Sequence, residues 1–294
     1  MSRVARPAGW LALLVATVLP ASAATRTLVV SGLGGEAKYA EAFMAIAESA
    51  AESARGTGAE VTLLTGAAAT RETIRDALAE LGRVSTEEDV AVVHLFGHGS
   101  YDGETFRFNV PGPDPTDEDL SDWLGALRPA RQLVVVATSA SGALAEPLRR
   151  EGRTVIAATK SGTEQSAVVF GDYWIEALRA LSADTNKDGA VGATEAFRFT
   201  NAAVERHFEA RGLMATEHAR MEGPESGILV SRLEPERLPD AGARRLAARR
   251  AEIEEAIAGL RDERDSMEID AYFARLRELL LEMAVIEREL SDGP

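Results

Sequence analysis

The sequence predicts an α/β protein: a parallel sheet with helices on both faces, followed by an α-helical hairpin. Three observations carry this. Short, Val-rich apolar runs alternate with amphipathic helical patterns between residues 27 and 178, which is the pattern of βαβ units. Two of those runs, residues 90–96 and 133–137, are apolar on both faces, as strands buried within a parallel sheet are. After Ala243 the composition turns to Glu, Arg, Ala and Leu, with apolar residues at coiled-coil spacing.

In chain order, residues 27–31 form the first strand. Gly32-Leu33-Gly34-Gly35 then turns into a helix over 37–53 that carries Tyr39, Phe43 and Ile46 on one face. That turn lacks the Lys-Ser/Thr of a Walker loop and the full G-x-G-x-x-G spacing, so it reads as a tight strand-to-helix connection. Residues 60–64 are the second strand, and Thr70 caps a helix over 72–81 with Ile74, Leu78 and Leu81 inward. The third strand, 90–96, ends in Gly97-His98-Gly99-Ser100. A small hairpin (101–108) and a rigid Pro-Gly-Pro-Asp-Pro loop (111–115) follow. Thr116 to Asp119 has the form of a capping box, Asp replacing Glu, and opens a helix through Leu120, Trp123, Leu124 and Leu127. The fourth strand, 132–137, ends in Thr138-Ser139-Ala140-Ser141-Gly142. A helix over 143–150, a fifth strand over 154–158 and a helix through Phe170, Trp174, Ile175 and Leu178 complete the pattern.

At 294 residues, one main domain plus an appendage is expected. The formal charge of −15 excludes non-specific binding to nucleic acid or anionic lipid and is compatible with cations. Residues 1–23 read as a signal peptide: Arg3 and Arg6, an apolar core over 10–19, Pro20, then Ala21-Ser22-Ala23 with cleavage after Ala23. The apolar core is about half the ~20 residues that a bilayer requires, so no stable membrane span is expected after cleavage; a retained anchor is the competing reading. The expectation is a secreted or periplasmic protein. The absence of cysteine removes disulfides and any lipoprotein attachment site. Residues 24–233 then form the α/β domain, 234–242 a Pro/Gly-containing linker, and 243–291 the hairpin. Leu246, Ile253, Ile257 and Leu260 would face Tyr272, Leu276, Leu279, Met283, Ile286 and Leu290, or either stripe would meet the sheet domain or a partner.

Two polar clusters carry candidate chemistry. Ligands of open α/β sheets gather beyond the carboxyl ends of the strands, which places His98 and Ser139 side by side at one edge. Residues 184–195 fit an EF-hand loop: Asp184, Asn186 and Asp188 as oxygen ligands, Gly189 at the turn, Ala190 through its carbonyl and Glu195 closing the shell. Gly192 leaves room for a water, helical patterns flank the loop, and Ca2+ is the implied ion. An Asx-rich turn is the competing reading. His94 reads as a core residue, His207 as a surface one, and His218 as a surface residue or a metal ligand.

The paired ends Gly97-His98-Gly99 and Thr138-Ser139-Ala140-Ser141-Gly142 resemble those of the caspase-like cysteine peptidases, the legumain, caspase and gingipain group. The resemblance covers residues 25–233 and implies a caspase-like fold. It sets His98 at the family's catalytic histidine and Ser139 where the nucleophilic cysteine stands, in line with the legumain Ala-Cys-Glu-Ser-Gly. The glutamate before the nucleophile is missing. Glu164 and Ser166 resemble residues of the substrate pocket, although a polar loop with an N-cap explains them equally, and 216–223 resembles a further family segment. A serine hydroxyl lacks the nucleophilicity of a thiolate and needs an oriented base. Three readings follow: a pseudopeptidase binding a peptide or protein through the pocket edge or the hairpin; a serine-type hydrolase with Ser139 as nucleophile, His98 as base and N–H groups near Gly99 as oxyanion donors; and a calcium-stabilised interaction module.

Overall fold

The computed structural model describes residues 23–233 and 267–291, with scattered positions between 245 and 264. The expected signal peptide, Ala23 apart, and the expected linker lie outside the described residues. The central sheet has six strands in the order β2-β1-β3-β6-β7-β9. These are β1 (Thr25–Ser31), β2 (Glu60–Leu64), β3 (Val90–Phe96), β6 (Arg131–Ala137), β7 (Arg153–Ala157) and β9 (Arg220–Glu222). The first five in that order are parallel, and β9 closes the edge antiparallel to β7.

Alternation along the strands divides the core into two layers, because successive side chains point to opposite faces. Val29, Val92, Leu133, Val135 and Ile156 pack with α1 (Ala37–Gly56), α4 (Phe170–Ala177) and α5 (Ala193–Ala210). Leu28, Val30, Val93, Leu95, Val134 and Val136 pack with α2 (Arg71–Val84) and α3 (Asp117–Gly125). Both faces are covered, so the strands carry apolar residues throughout. Thr70 caps α2 and Thr116 caps α3, each with a reciprocal bond from the residue three positions on, Thr73 and Asp119.

Two small ribbons sit beside the sheet. β4 (Gly99–Tyr101) pairs with β5 (Phe106–Phe108), and β8 (Ala190–Gly192) pairs antiparallel with β10 (Leu229–Arg232). Apart from these, Ile253, Ile257 and Leu260 share a cluster with Tyr272, Leu279 and Ile286 of α6 (Ile269–Ser291). Among the described residues, no helix is long and apolar enough to cross a membrane.

The expected helix over 143–150 is corrected: the chain makes only a 3-10 turn, Ser141–Leu144, followed by further turns. Pro147 has no N–H to bond to Ala143 and its ring obstructs a continuing helix. The helix before the Asp184 loop ends at Ala177, with the expected Leu178 as its cap.

Candidate functional site

The strand order 2-1-3 reverses direction between β1 and β3, so the crevice at their carboxyl ends is the topological switch point of the sheet. Phe96 is level with Ala137 in the β3–β6 register, and the two chains therefore leave the sheet together. Beyond that line His98 and Ser139 lie at the same end, as the sequence places them.

Ser139 is 4% exposed. Its hydroxyl donates to the Gly99 carbonyl at 2.8 Å and accepts the Gly99 N–H at 3.2 Å. The N–H and the carbonyl of Gly99 are thus both paired with one side chain 40 residues away. The next residue, Ala140, is left-handed at φ 56° and its N–H donates to the Glu164 carbonyl at 2.7 Å, a conformation that costs a non-glycine residue about 1 kcal/mol or more.

The His98 ring sits edge-on to Tyr39 and Phe43, with centroid separations of 5.0 and 4.9 Å. Burial lowers its pKa from the ordinary value, opposed by the Gly34 backbone and the charge of Glu36. Among the described residues no hydrogen bond links that ring to Ser139. The hydroxyl proton is directed at a backbone carbonyl, and the Gly99 N–H is directed at the hydroxyl.

Tyr39 and Phe43 also wall a groove of about 380 Å3 between the start of α1 and residues 167–172. Phe96 and Ala137 form its floor, and Val168, Val169, Lys38 and Asp172 its far wall and rim. Ser166 lies next to this segment on the surface, while Glu164 turns the other way. The Glu164 carboxylate accepts the Lys160 N–H at 2.9 Å and pairs with His218 Nδ1 at 2.6 Å.

Glu217 was not legible as a site residue. It is 3% exposed, and its carboxylate accepts the N–H groups of Val169 and Phe170, each at 2.8 Å. Burial pushes its pKa up to about 7 against those two bonds, with Glu164 and Asp172 adding to the rise. With His218 on Glu164, it straps the groove wall from behind. Nothing in its spacing marks it, since it stands in an irregular stretch far along the chain. His94, within β3, is 2% exposed, stacks with Phe96 and contacts Trp174. Burial lowers its pKa to about 4. His207 accepts or donates a bond with the Tyr173 hydroxyl at 2.9 Å.

In the Asp184 loop, Gly189 is left-handed at φ 82°, as a sixth-position turn requires. The Asp184 carboxylate accepts the N–H groups of Asp188 and Gly189, Asn186 Oδ1 accepts Asp188 N–H, and Asp188 accepts Ala190 N–H. Ala190 stands in β8, whose pairing with β10 gives the loop a strand partner. Glu195 reaches back to the N–H groups of Gly192, Thr185 and Asn186. The donor types fit Ca2+. Among the described residues, no group of three or more His, Asp or Glu side chains converges as a metal shell.

The geometry defines an α/β protein whose crevice lies at the switch point of an open sheet. No family model matches the chain, and no curated relative does. Many solved structures are similar to it, two of them as follows. A Geobacter sulfurreducens protein from a structural-genomics programme has a TM-score of 0.48 and 15% identity, over 72% of this chain and 99% of that one. Caspase-1 from Spodoptera frugiperda has a TM-score of 0.47 and 11% identity, over 72% of this chain and 91% of the other. What the crevice does rests on its own residues.

Proposed function

We propose that this chain is a caspase-like scaffold that binds a peptide segment in the groove beside His98 without cleaving it. The observation behind the reading is the pair of hydrogen bonds between the Ser139 hydroxyl and the Gly99 backbone. A nucleophile must present its oxygen to substrate and its proton to a base; here the proton meets a carbonyl, and the N–H that would stabilise an oxyanion is already taken. His98 becomes part of the apolar wall with Tyr39 and Phe43. The second element of the proposal is that residues 184–195 take a calcium ion as a clamp. Asp184, Asn186, Asp188, the Ala190 carbonyl and Glu195 would hold it, the ion competing with the loop amides for Glu195. The Arg3, Arg6 and 10–19 pattern supports action after export, where calcium is plentiful.

Incubation with a fluorophosphonate probe tests the first element, with Ser139→Ala as control. The expected result is no labelling at residue 139 and no hydrolysis of Asn-, Asp- or Arg-containing peptides, together with saturable peptide binding that Phe43→Ser weakens. Labelling that disappears in Ser139→Ala would establish the serine-hydrolase reading instead.

A further inference from the structure

The groove has apolar walls and one unmatched charge. Tyr39, Phe43, Val168 and Val169 face across a floor of Phe96. At about 380 Å3 it lies at the small end of ligand sites, which run from roughly 300 to 1,000 Å3, and suits one large side chain. Asp172, in the first turn of α4, stands at the rim. Among the described residues its carboxylate has no hydrogen bond and no ion pair. Asp172 is exposed to solvent at the rim; packing beside it still raises its pKa, and the charge of His207 on α5 opposes this. The cation across the rim, Lys38, is held by Glu36 at 3.1 Å and does not neutralise Asp172.

Resting on the reading of this groove as a peptide site, we propose that its ligand presents a large aliphatic or aromatic side chain with a lysine or arginine beside it. The apolar side chain enters between Tyr39 and Val168, and the cation meets Asp172. An acidic segment is disfavoured twice, by Asp172 locally and by the chain's net charge of −15 at long range. A cation gains at Asp172 because, among the described residues, the carboxylate has no opposite charge within ion-pair distance, and the gain is that of a surface pair.

Fluorescence anisotropy on the full chain tests this with labelled Ala-rich hexapeptides centred on Leu-Lys, Leu-Gln, Leu-Glu and Ala-Lys. The Leu-Lys peptide is expected to bind tightest, with Leu-Gln about threefold weaker, Leu-Glu weaker still, and Ala-Lys weakened by loss of the apolar contact. Asp172→Asn should remove the preference for Leu-Lys over Leu-Gln while leaving the thermal unfolding midpoint and Leu-Gln binding in place. Equal binding of Leu-Lys and Leu-Gln to the native chain, or a preference that survives Asp172→Asn, would overturn the charge inference and leave the groove a peptide site. Failure of every peptide to bind the folded chain would overturn the peptide-site reading beneath it.

Discussion

The end of the sheet around Ser139 and the loop around Asp184 are built alike in one respect and unlike in another. In both, polar side chains are bonded to backbone amides. Around Ser139 those bonds join segments 40 residues apart and are buried; around Asp184 they span ten residues or fewer and are part-buried or exposed. A buried, long-range tie leaves its partners unsatisfied if it opens. A local, partly exposed one opens onto water at lower cost. The same bonding pattern therefore makes one region a rivet, and in the other the proposed calcium ion would exchange for the loop amides.

One substitution made in both places sharpens the contrast most. A Cβ at Gly99 would lie 2.5 Å from the Ser139 carbonyl oxygen and 2.6 Å from the Phe106 ring, whereas at Gly192 its nearest contact is Glu195 at 3.4 Å. Gly99→Ala should cost about 4 kcal/mol or more in urea unfolding, and Gly192→Ala within about 1 kcal/mol. Comparable losses would break the comparison.

Glu217, on the riveted side, gives the next effect. Its pKa is raised to about 7 in the fold from 4.5. The folded state therefore holds the proton longer, and this group's contribution to stability falls as pH rises from 4.5 to 7, then levels off. The difference between native chain and Glu217→Gln should change by up to ~3 kcal/mol across that window. His94 acts oppositely, because its pKa is lowered to about 4. The unfolded chain binds its proton first, so stability is lost as pH falls from 6.5 to 4, and His94→Phe should recover it. The two trends offset one another in the native chain, and each appears only in its own variant's difference curve. A Glu217→Gln difference that is flat with pH would remove the buried carboxylate from the account.

Ser139→Ala strips two buried backbone groups of their partner and should cost about 2 kcal/mol. Glu195→Ala, measured in chelator, removes the carboxylate that accepts the Gly192, Thr185 and Asn186 N–H groups and should cost about 1 kcal/mol. In calcium the second loss should grow, because the native loop is then stabilised by the bound ion and the variant is not. A calorimetric isotherm unchanged by Glu195→Ala would take the ion out of the loop.

The strands and most helices were legible because their signals are local: two-faced apolar runs, Thr caps and stripes three and four residues apart. The edge strand β9 and the partner strand β10 were not, since three or four residues with little apolar content carry no period. The His98 and Ser139 neighbourhood could be anticipated from two strand ends, but what Ser139 bonds to could not. That depends on the β4 backbone folding back beneath it, with Phe106 and Phe108 holding the ribbon down. The candidate ligands of the Asp184 loop stand in one contiguous stretch, so a position-by-position expectation was open there; the left-handed Gly189 agrees with it at the sixth position. Glu217 was unreadable because its partners stand 47 and 48 residues earlier.

The account turns on whether His98 activates the atom at position 139, and a cysteine placed there reads this directly. The alkylation rate of Ser139→Cys by iodoacetamide, followed across pH and repeated with His98→Ala, is the measurement. A slow reaction with a midpoint at or above the free thiol's value of about 8.5, indifferent to His98→Ala, is predicted. A fast reaction with a low midpoint that collapses when His98 is removed would contradict it.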